Sequence, residues 1–295
     1  MNHREAKTYM TLKKQRILAI EAHPDDLVYF YGASIAKMIA EGHQIRVITV
    51  TTGDQSTVDP SLSTEDIERI LKDEHAAAMK IIGITDQKYL EGFTNHFMFS
   101  SEIQLKLRGE LIREIREFQP DSVITFDIAD IFEENPDHQL LARVGLQAAS
   151  FAAYPLIHPE QLQDGLKPHF VARVLLAPTK QPNVFVDLDD ESLNKKKAAG
   201  KAYKSQLALM FTELDQRSRA MGLNPALDDV TPGDLWDSVV DSWAEETAKA
   251  ANLYYAQHKD IAPRIKPMKA EAFRMQYLGA VEKVHDYLPQ EYLLL

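Results

Sequence analysis

Arg16–Glu21 reads RILAIE, and the chain runs on as Ala22-His23-Pro24-Asp25-Asp26. So short an apolar run suits a buried strand better than a helix. Three ionisable groups then crowd the point where that strand must end. Tyr29–Glu41 follows with helical spacing and stops at Gly42, a residue suited to a helix C-terminus. Gln44–Thr51 (QIRVITVT) is rich in β-branched residues and reads as a second strand. Strand, loop, helix, strand is the repeating unit of a parallel sheet.

The pattern continues outward from this unit. Ser63-Thr64-Glu65-Asp66 opens a helix that runs to Ile82 and closes at Gly83. Lys88–Leu90 is a short strand, Ser101–Phe118 a strongly periodic helix, and Asp121–Phe126 (DSVITF) a further strand. Pro136–Ala153 reads as a helix with Pro136 in its first turn, where a missing N–H costs little. The expected fold class is therefore α/β and Rossmann-like: a mostly parallel sheet with helices on both faces. Ligands of such sheets sit outside the carboxyl ends of the strands. The loops after Glu21, Thr51, Leu90 and Phe126 should thus converge on one crevice.

Beyond residue 170 the pattern loosens. Val171–Ala177 and Val184–Asp187 read as strands and Ser192–Gln206 as one helix. Residues 207–267 read as a mainly helical elaboration that caps the crevice or builds an oligomer contact. Trp236 and Trp243, spaced along one helical face, read as packing residues there. The expected organisation is a single domain over 1–295. Its core spans about 16–206, its helical insertion or cap about 207–267, and its C-terminal return about 268–295.

Composition narrows the chemistry. The formal net charge of −11 repels phosphate backbones and argues against nucleic acid as a partner. The basic run Lys195-Lys196-Lys197 reads as the solvated face of a helix. Without a cysteine, any metal must be held by His and carboxylate groups. No apolar run reaches the ~20 residues of a membrane span, and the polar stretch Met1–Gln15 has no apolar centre of a signal peptide. The expected location is the cytoplasm.

Two sequence elements carry the chemistry. The first is Ala22-His23-Pro24-Asp25-Asp26. His and a carboxylate are natural ligands of a divalent metal, and a second carboxylate alongside could face an attacking water. A plainer reading stands beside this one: an Asp between strand and helix is often only a cap, and His23 could be an ordinary loop histidine. The second element is Asn135-Pro136-Asp137-His138, after the strand ending at Phe126. His23, Asp26 and His138 together supply the three protein ligands typical of a catalytic metal site. A dinucleotide-binding site would need a glycine-rich turn after the first strand, and this chain has carboxylates there instead.

With these motifs the chain resembles the PIG-L / LmbE-like family of zinc-dependent de-N-acetylases. Gly165-Leu166-Lys167-Pro168-His169, Lys197–Gln206 (KAAGKAYKSQ) and Ala270-Glu271-Ala272-Phe273-Arg274 resemble further family segments. The resemblance implies that His23, Asp26 and His138 bind Zn2+, or another divalent ion such as Fe2+, Mn2+ or Ni2+. It implies Asp25 as general base on the attacking water. The implied substrate is a small N-acyl amine, above all an N-acetylated amino sugar or sugar conjugate. A homo-oligomer is compatible with it.

Three positions depart from the family pattern. Leu27 stands where a Glu is usual, and Asn95 near a usual Asp. Asn135 takes the place of a histidine that serves as acid or oxyanion partner. Asn can donate a hydrogen bond to an oxyanion but cannot deliver a proton. The alternative expectation is accordingly a metal- and ligand-binding homologue with little or no turnover. His75 and His96 are candidate substitute acids.

Overall fold

The computed structural model describes residues 14–95, 100–130, 133–225, 227, 229–259, 263, 266–284 and 287. His96 lies outside them. Strands β1 (Arg16–Glu21), β2 (Gln44–Thr49), β3 (Asp86–Tyr89), β4 (Ser122–Thr125) and β5 (Arg173–Leu176) alternate with α1 (Asp26–Ala40), α2 (Thr64–Ile82), α3 (Ser101–Phe118), α4 (Pro136–Phe151) and the short α5 (Pro159–Gln163). Then come β6 (Val184–Asp187), α6 (Asp190–Ala202), α7 (Lys204–Ala220), α8 (Pro232–Gln257), β7 (Ala270–Tyr277) and α9 (Gly279–Val284).

The sheet order is β3-β2-β1-β4-β5-β7-β6. The first five strands pair in parallel, while β7 runs antiparallel to both β5 and β6. The α/β, mostly parallel architecture is as the alternation of elements required. The side-chain period of two divides the core between the two faces of the sheet. Ile17, Ala19, Val47, Ile124 and Leu175 pack under α1, α2, α6 and α8. Their neighbours Leu18, Ile20, Ile48, Val123, Val174 and Leu176 pack under α3 and α4.

Chain direction across the sheet reverses between β1 and β4. From β1 the chain moves outward through β2 to β3, then returns to place β4 on the other side of β1. Loops leaving β1 and β4 therefore part to opposite sides and leave a crevice between them. The two motifs follow those two strands.

The structure differs from the sequence reading at several places. Helix α1 starts at Asp26, inside the motif, rather than at Tyr29. It is interrupted at Tyr31 (φ −147°, ψ 25°). Ser34 N donates to Glu271 Oε2 at 2.6 Å, so a carboxylate from β7 caps the second half of the helix. Lys196 closes the same arrangement with a 2.6 Å ion pair to Glu271. It is buried, not part of a solvated face, and Lys197 pairs with Asp241 at 2.6 Å. A like-charged run thus hides three different environments that helix geometry alone separates.

The helix read over 192–206 breaks at Tyr203 into α6 and α7. Strand β7 was not read as a strand, because Glu271 and Arg274 interrupt its apolar pattern while finding partners in the fold. Trp236 is core as expected, but Trp243 is 42% exposed. At Trp236 the helices approach so closely that a Cβ on Gly200 would lie 2.3 Å from the indole. The indole N–H donates to Lys197 O at 3.1 Å. Among the described residues no helix is long and apolar enough to cross a membrane.

Candidate metal centre

His23 leaves β1, Asp26 opens α1, and His138 sits in the first turn of α4. All three are buried, and one ligand atom from each lies within 4.8 Å of the others. His138 Nε2 is 3.1 Å from both Asp26 Oδ1 and His23 Nδ1. Asp26 Oδ2 is fixed from behind by the N–H groups of His23 (2.7 Å) and Ala22 (3.0 Å). Backbone geometry of the strand end thus aims Oδ1 at the imidazoles.

Each imidazole is also held from behind by a carboxylate. His23 Nε2 meets Asp137 Oδ2 at 3.0 Å, and His138 Nδ1 meets Glu133 Oε2 at 3.1 Å. A ring N–H donated to a carboxylate leaves the other nitrogen as a lone pair. Here both lone pairs turn toward Asp26. Two imidazole acceptors and one carboxylate oxygen at a common point suit a divalent cation, and the rear carboxylates are the support such ligands need. The donor set fits a metal.

Sequence reasoning missed the two supports. Asp137 stood inside a quoted motif without a role; Glu133 left no local signal, since its partnership with His138 depends on how the loop returns to the helix.

The electrostatics follow from this packing. Burial opposes charge on His138, but the Asp26 charge and the bonds to Asp26 and Glu133 outweigh it, raising its pKa to about 9. His23 is raised in the same sense: burial disfavours its charge, while Asp26 and the Asp137 bond overcome that cost. Asp26, despite burial, is held well below the usual carboxylate range by His138 and His23. A proton therefore occupies the metal-free cluster at neutral pH, and a cation must displace it.

The sign of the linkage is definite. His138 titrates near 6.5 when unfolded and near 9 when folded. Its stabilising effect is complete below pH 6.5 and disappears as pH rises through about 9. That window is worth on the order of 3 kcal/mol. Metal-free protein should lose thermal stability between pH 6.5 and 9, and metal-loaded protein should not. Parallel melting curves with and without a chelator check this; identical pH trends would show that no cation replaces the proton.

Asp25 occupies the N-cap position of α1, yet its side chain makes no cap hydrogen bond. The plain capping explanation therefore does not account for it. Burial and then the Asp26 charge push its carboxyl up to about 6. Asn135 does cap α4: its Oδ1 accepts from the N–H groups of Asp137 (2.9 Å) and His138 (3.5 Å). Its amide nitrogen is left as the group it could turn toward a ligand. Asn135→Ala should cost about 1 kcal/mol through the lost cap. Denaturant titration measures this; no loss would mean that water replaces the cap.

The departures at Leu27 and Asn95 have structural accounts. Leu27 is core, and its N–H donates to Glu21 Oε2 at 3.0 Å. Asn95 is buried, with its side chain donating to Ser56 Oγ at 3.2 Å and its N–H to Asp54 Oδ1 at 3.2 Å. His75 is buried behind the motif rather than facing the crevice. It lies 2.6 Å from Pro24 O and 2.9 Å from the Tyr203 hydroxyl, and desolvation lowers its pKa to about 4. Tyr203 donates to the same carbonyl at 2.5 Å. His75 and Tyr203 brace the loop that carries His23 and Asp26, and the break between α6 and α7 is what brings that hydroxyl in.

A polar cavity of about 240 Å³ opens beside His138, lined by Asp127, Asp130, Glu133, Gln139 and Arg143 among others. Asp127 is fixed by Arg274, which donates to both of its oxygens (2.5 and 2.9 Å), and by the Thr179 hydroxyl at 2.6 Å.

Comparison with known proteins follows the same half of the chain. Residues 18–149 match the PIG-L family model, described as GlcNAc-PI de-N-acetylase. A diacetylchitobiose deacetylase of Thermococcus kodakarensis is 29% identical over 176 residues, 60% of this chain and 64% of that protein. A 1D-myo-inositol 2-acetamido-2-deoxy-alpha-D-glucopyranoside deacetylase of Streptomyces avermitilis is 34% identical over 170 residues, 50% of this chain and 58% of that protein. The chain thus spans 64% and 58% of the lengths of these two relatives. Among solved structures, an N,N'-diacetylchitobiose deacetylase of Pyrococcus horikoshii superposes with a TM-score of 0.71 at 22% identity, covering 95% of this chain and 88% of that one. A 4-carboxy-2-hydroxymuconate hydratase of Pseudomonas putida superposes at 0.64 and 18% identity, covering 89% and 96%. These last two likenesses are of fold alone.

Proposed function

We propose that the protein, whose residues 18–149 match the PIG-L family model, hydrolyses an N-acyl amide, foremost an N-acetyl group on an amino sugar, with a divalent metal held by His23, Asp26 and His138. The observation that carries this reading is the common aim of three donor atoms whose far sides are locked by Asp137, Glu133 and the strand-end N–H groups. A cation there would polarise the amide carbonyl and make water acidic enough to attack near neutral pH. Zinc suits the His2Asp set, as do iron, manganese and nickel to differing degrees.

The chain's own groups supply the proton movements. Asp25, uncommitted to the helix cap, takes a proton from the attacking water. A carboxylate with a pKa of about 6 is matched to that task near pH 7. The same carboxyl, now protonated, gives its proton to the departing amine, so that Asn135 need not act as an acid. Asn135 offers its amide N–H to the oxygen that gains charge. The polar cavity beside His138 receives the hydroxyl-bearing ring. In this reading the chain works as one domain, with α8 walling the crevice.

The hydratase of like fold gives reason to test the reaction and not only the ligands. Metal content and acetate release from N-acetylglucosamine conjugates are the direct measurements. Stoichiometric metal with acetate release is the expected result; absence of metal defeats the reading. A second reading, metal and ligand binding without turnover, draws on the commitment of Asn135 Oδ1 to the cap. It predicts bound metal and no hydrolysis across an amide panel.

A further inference from the structure

A second cavity, of about 310 Å³, lies between α8, α6 and the β6–β7 edge of the sheet. None of the groups assigned above to metal, base or oxyanion lines it. Phe30, Pro178, Phe185, Trp243 and Ala244 belong to its apolar wall. Its buried charges, Lys196 and Glu271, answer each other at 2.6 Å and do not call for a ligand of opposite sign. Trp243 stands at the wall with 42% of its surface open, whereas Trp236 on the same helix is buried.

This cavity adjoins the one beside His138. Pro178 borders both it and the polar cavity beside His138. The Phe30 ring forms the partition: its centre lies 6.1 Å from that of His138, 6.0 Å from Phe126 and 6.2 Å from Trp243. For a substrate with its amide at the His138 end and its hydroxyls in the polar cavity, the neighbouring apolar space lies across Phe30 and Pro178, toward Trp243.

We propose that this cavity receives an apolar group carried by the substrate beside the scissile amide, so that the substrate class is an N-acylated amino sugar bearing an aryl or alkyl substituent. The proposal rests on the hydrolase reading for where the amide sits. The substituent can come from the acyl side or from the glycosidic side of the sugar; its chemistry is the same, and the experiment separates the two. Desolvating such a group against an aromatic wall increases affinity in proportion to the area covered.

The test measures equilibrium binding by calorimetry to the full-length Asp25→Asn protein, in which turnover is suppressed. Three probes are compared: N-acetylglucosamine, its phenyl glycoside, and N-benzoylglucosamine. At least one aryl probe should bind about tenfold or more tightly than N-acetylglucosamine, and the one that gains identifies the side that enters the cavity. Trp243→Ala should erase the gain while leaving N-acetylglucosamine binding as it was, and Trp243→Phe should restore most of it. Ala250→Trp, which fills the cavity from an exposed position on its lining, should erase the gain without touching the core. Equal affinity for all three probes, or a gain that survives both Trp243→Ala and Ala250→Trp, overturns the proposal. Failure of wild-type turnover alone would instead strike the hydrolase reading, because the binding measurement needs no reaction.

Discussion

Asp26→Ala should abolish stoichiometric metal binding and lower amide hydrolysis to background. Asp26 is the anion between two imidazoles, with Oδ1 3.1 Å from His138 and Oδ2 accepting two strand-end N–H groups. Alanine removes one ligand and leaves those donors and the raised imidazoles without their counter-charge. Breaking such a buried pair costs about 3–5 kcal/mol, so the metal-free variant should also melt early. Asp26→Asn separates the two effects. Its amide oxygen keeps the backbone bonds, and the fold should survive, but without the charge the cation should still be lost. Elemental analysis and melting curves on both variants give the answer. A metal-replete Asp26→Asn protein with normal turnover would remove Asp26 from the ligand set.

The second large effect is expected at Asp25. Asp25→Asn should lower kcat by about 10²–10⁴, the usual contribution of a positioned general base. Metal content and melting temperature should stay close to wild type, because the Asp25 side chain makes no cap bond to α1. Wild-type activity should fall on the acid side as Asp25, whose carboxyl pKa is raised by burial and the Asp26 charge, takes up its proton, and the residual activity of the variant should lack that limb. The sign follows from the role: a base works only when deprotonated. A loss of activity matched by a loss of metal would show that Asp25 is a ligand and not a base.

How much could be read without coordinates varied by element. β1 and β4 were legible because a parallel strand buried on both faces is written as a continuous apolar run. The boundaries of α2 and α3 were legible because Ser63 and Gly83, and Gln119-Pro120, punctuate them with local chemistry. β7 was not legible. Glu271 and Arg274 break its pattern, and each is tolerated only because a distant partner, Lys196 or Asp127, meets it. The run Lys195–Lys197 misled for the same reason, since its middle member is buried by a strand more than seventy positions away.

By itself the sequence determined the alternation of strands and helices, the placing of both motifs after strands, and the kinds of donor available to a metal in a chain without cysteine. Those are properties of local spacing and composition. Only the tertiary structure decided that β1 and β4 are neighbours at the reversal of the sheet, so that His23, Asp26 and His138 meet. It alone decided that Asp137 and Glu133 stand behind the imidazoles, and that His75 braces the loop instead of facing the crevice. The physical reason is range. A capping bond or a two-residue period acts over a few positions, whereas contact between groups 112 positions apart depends on the packing of every element between them.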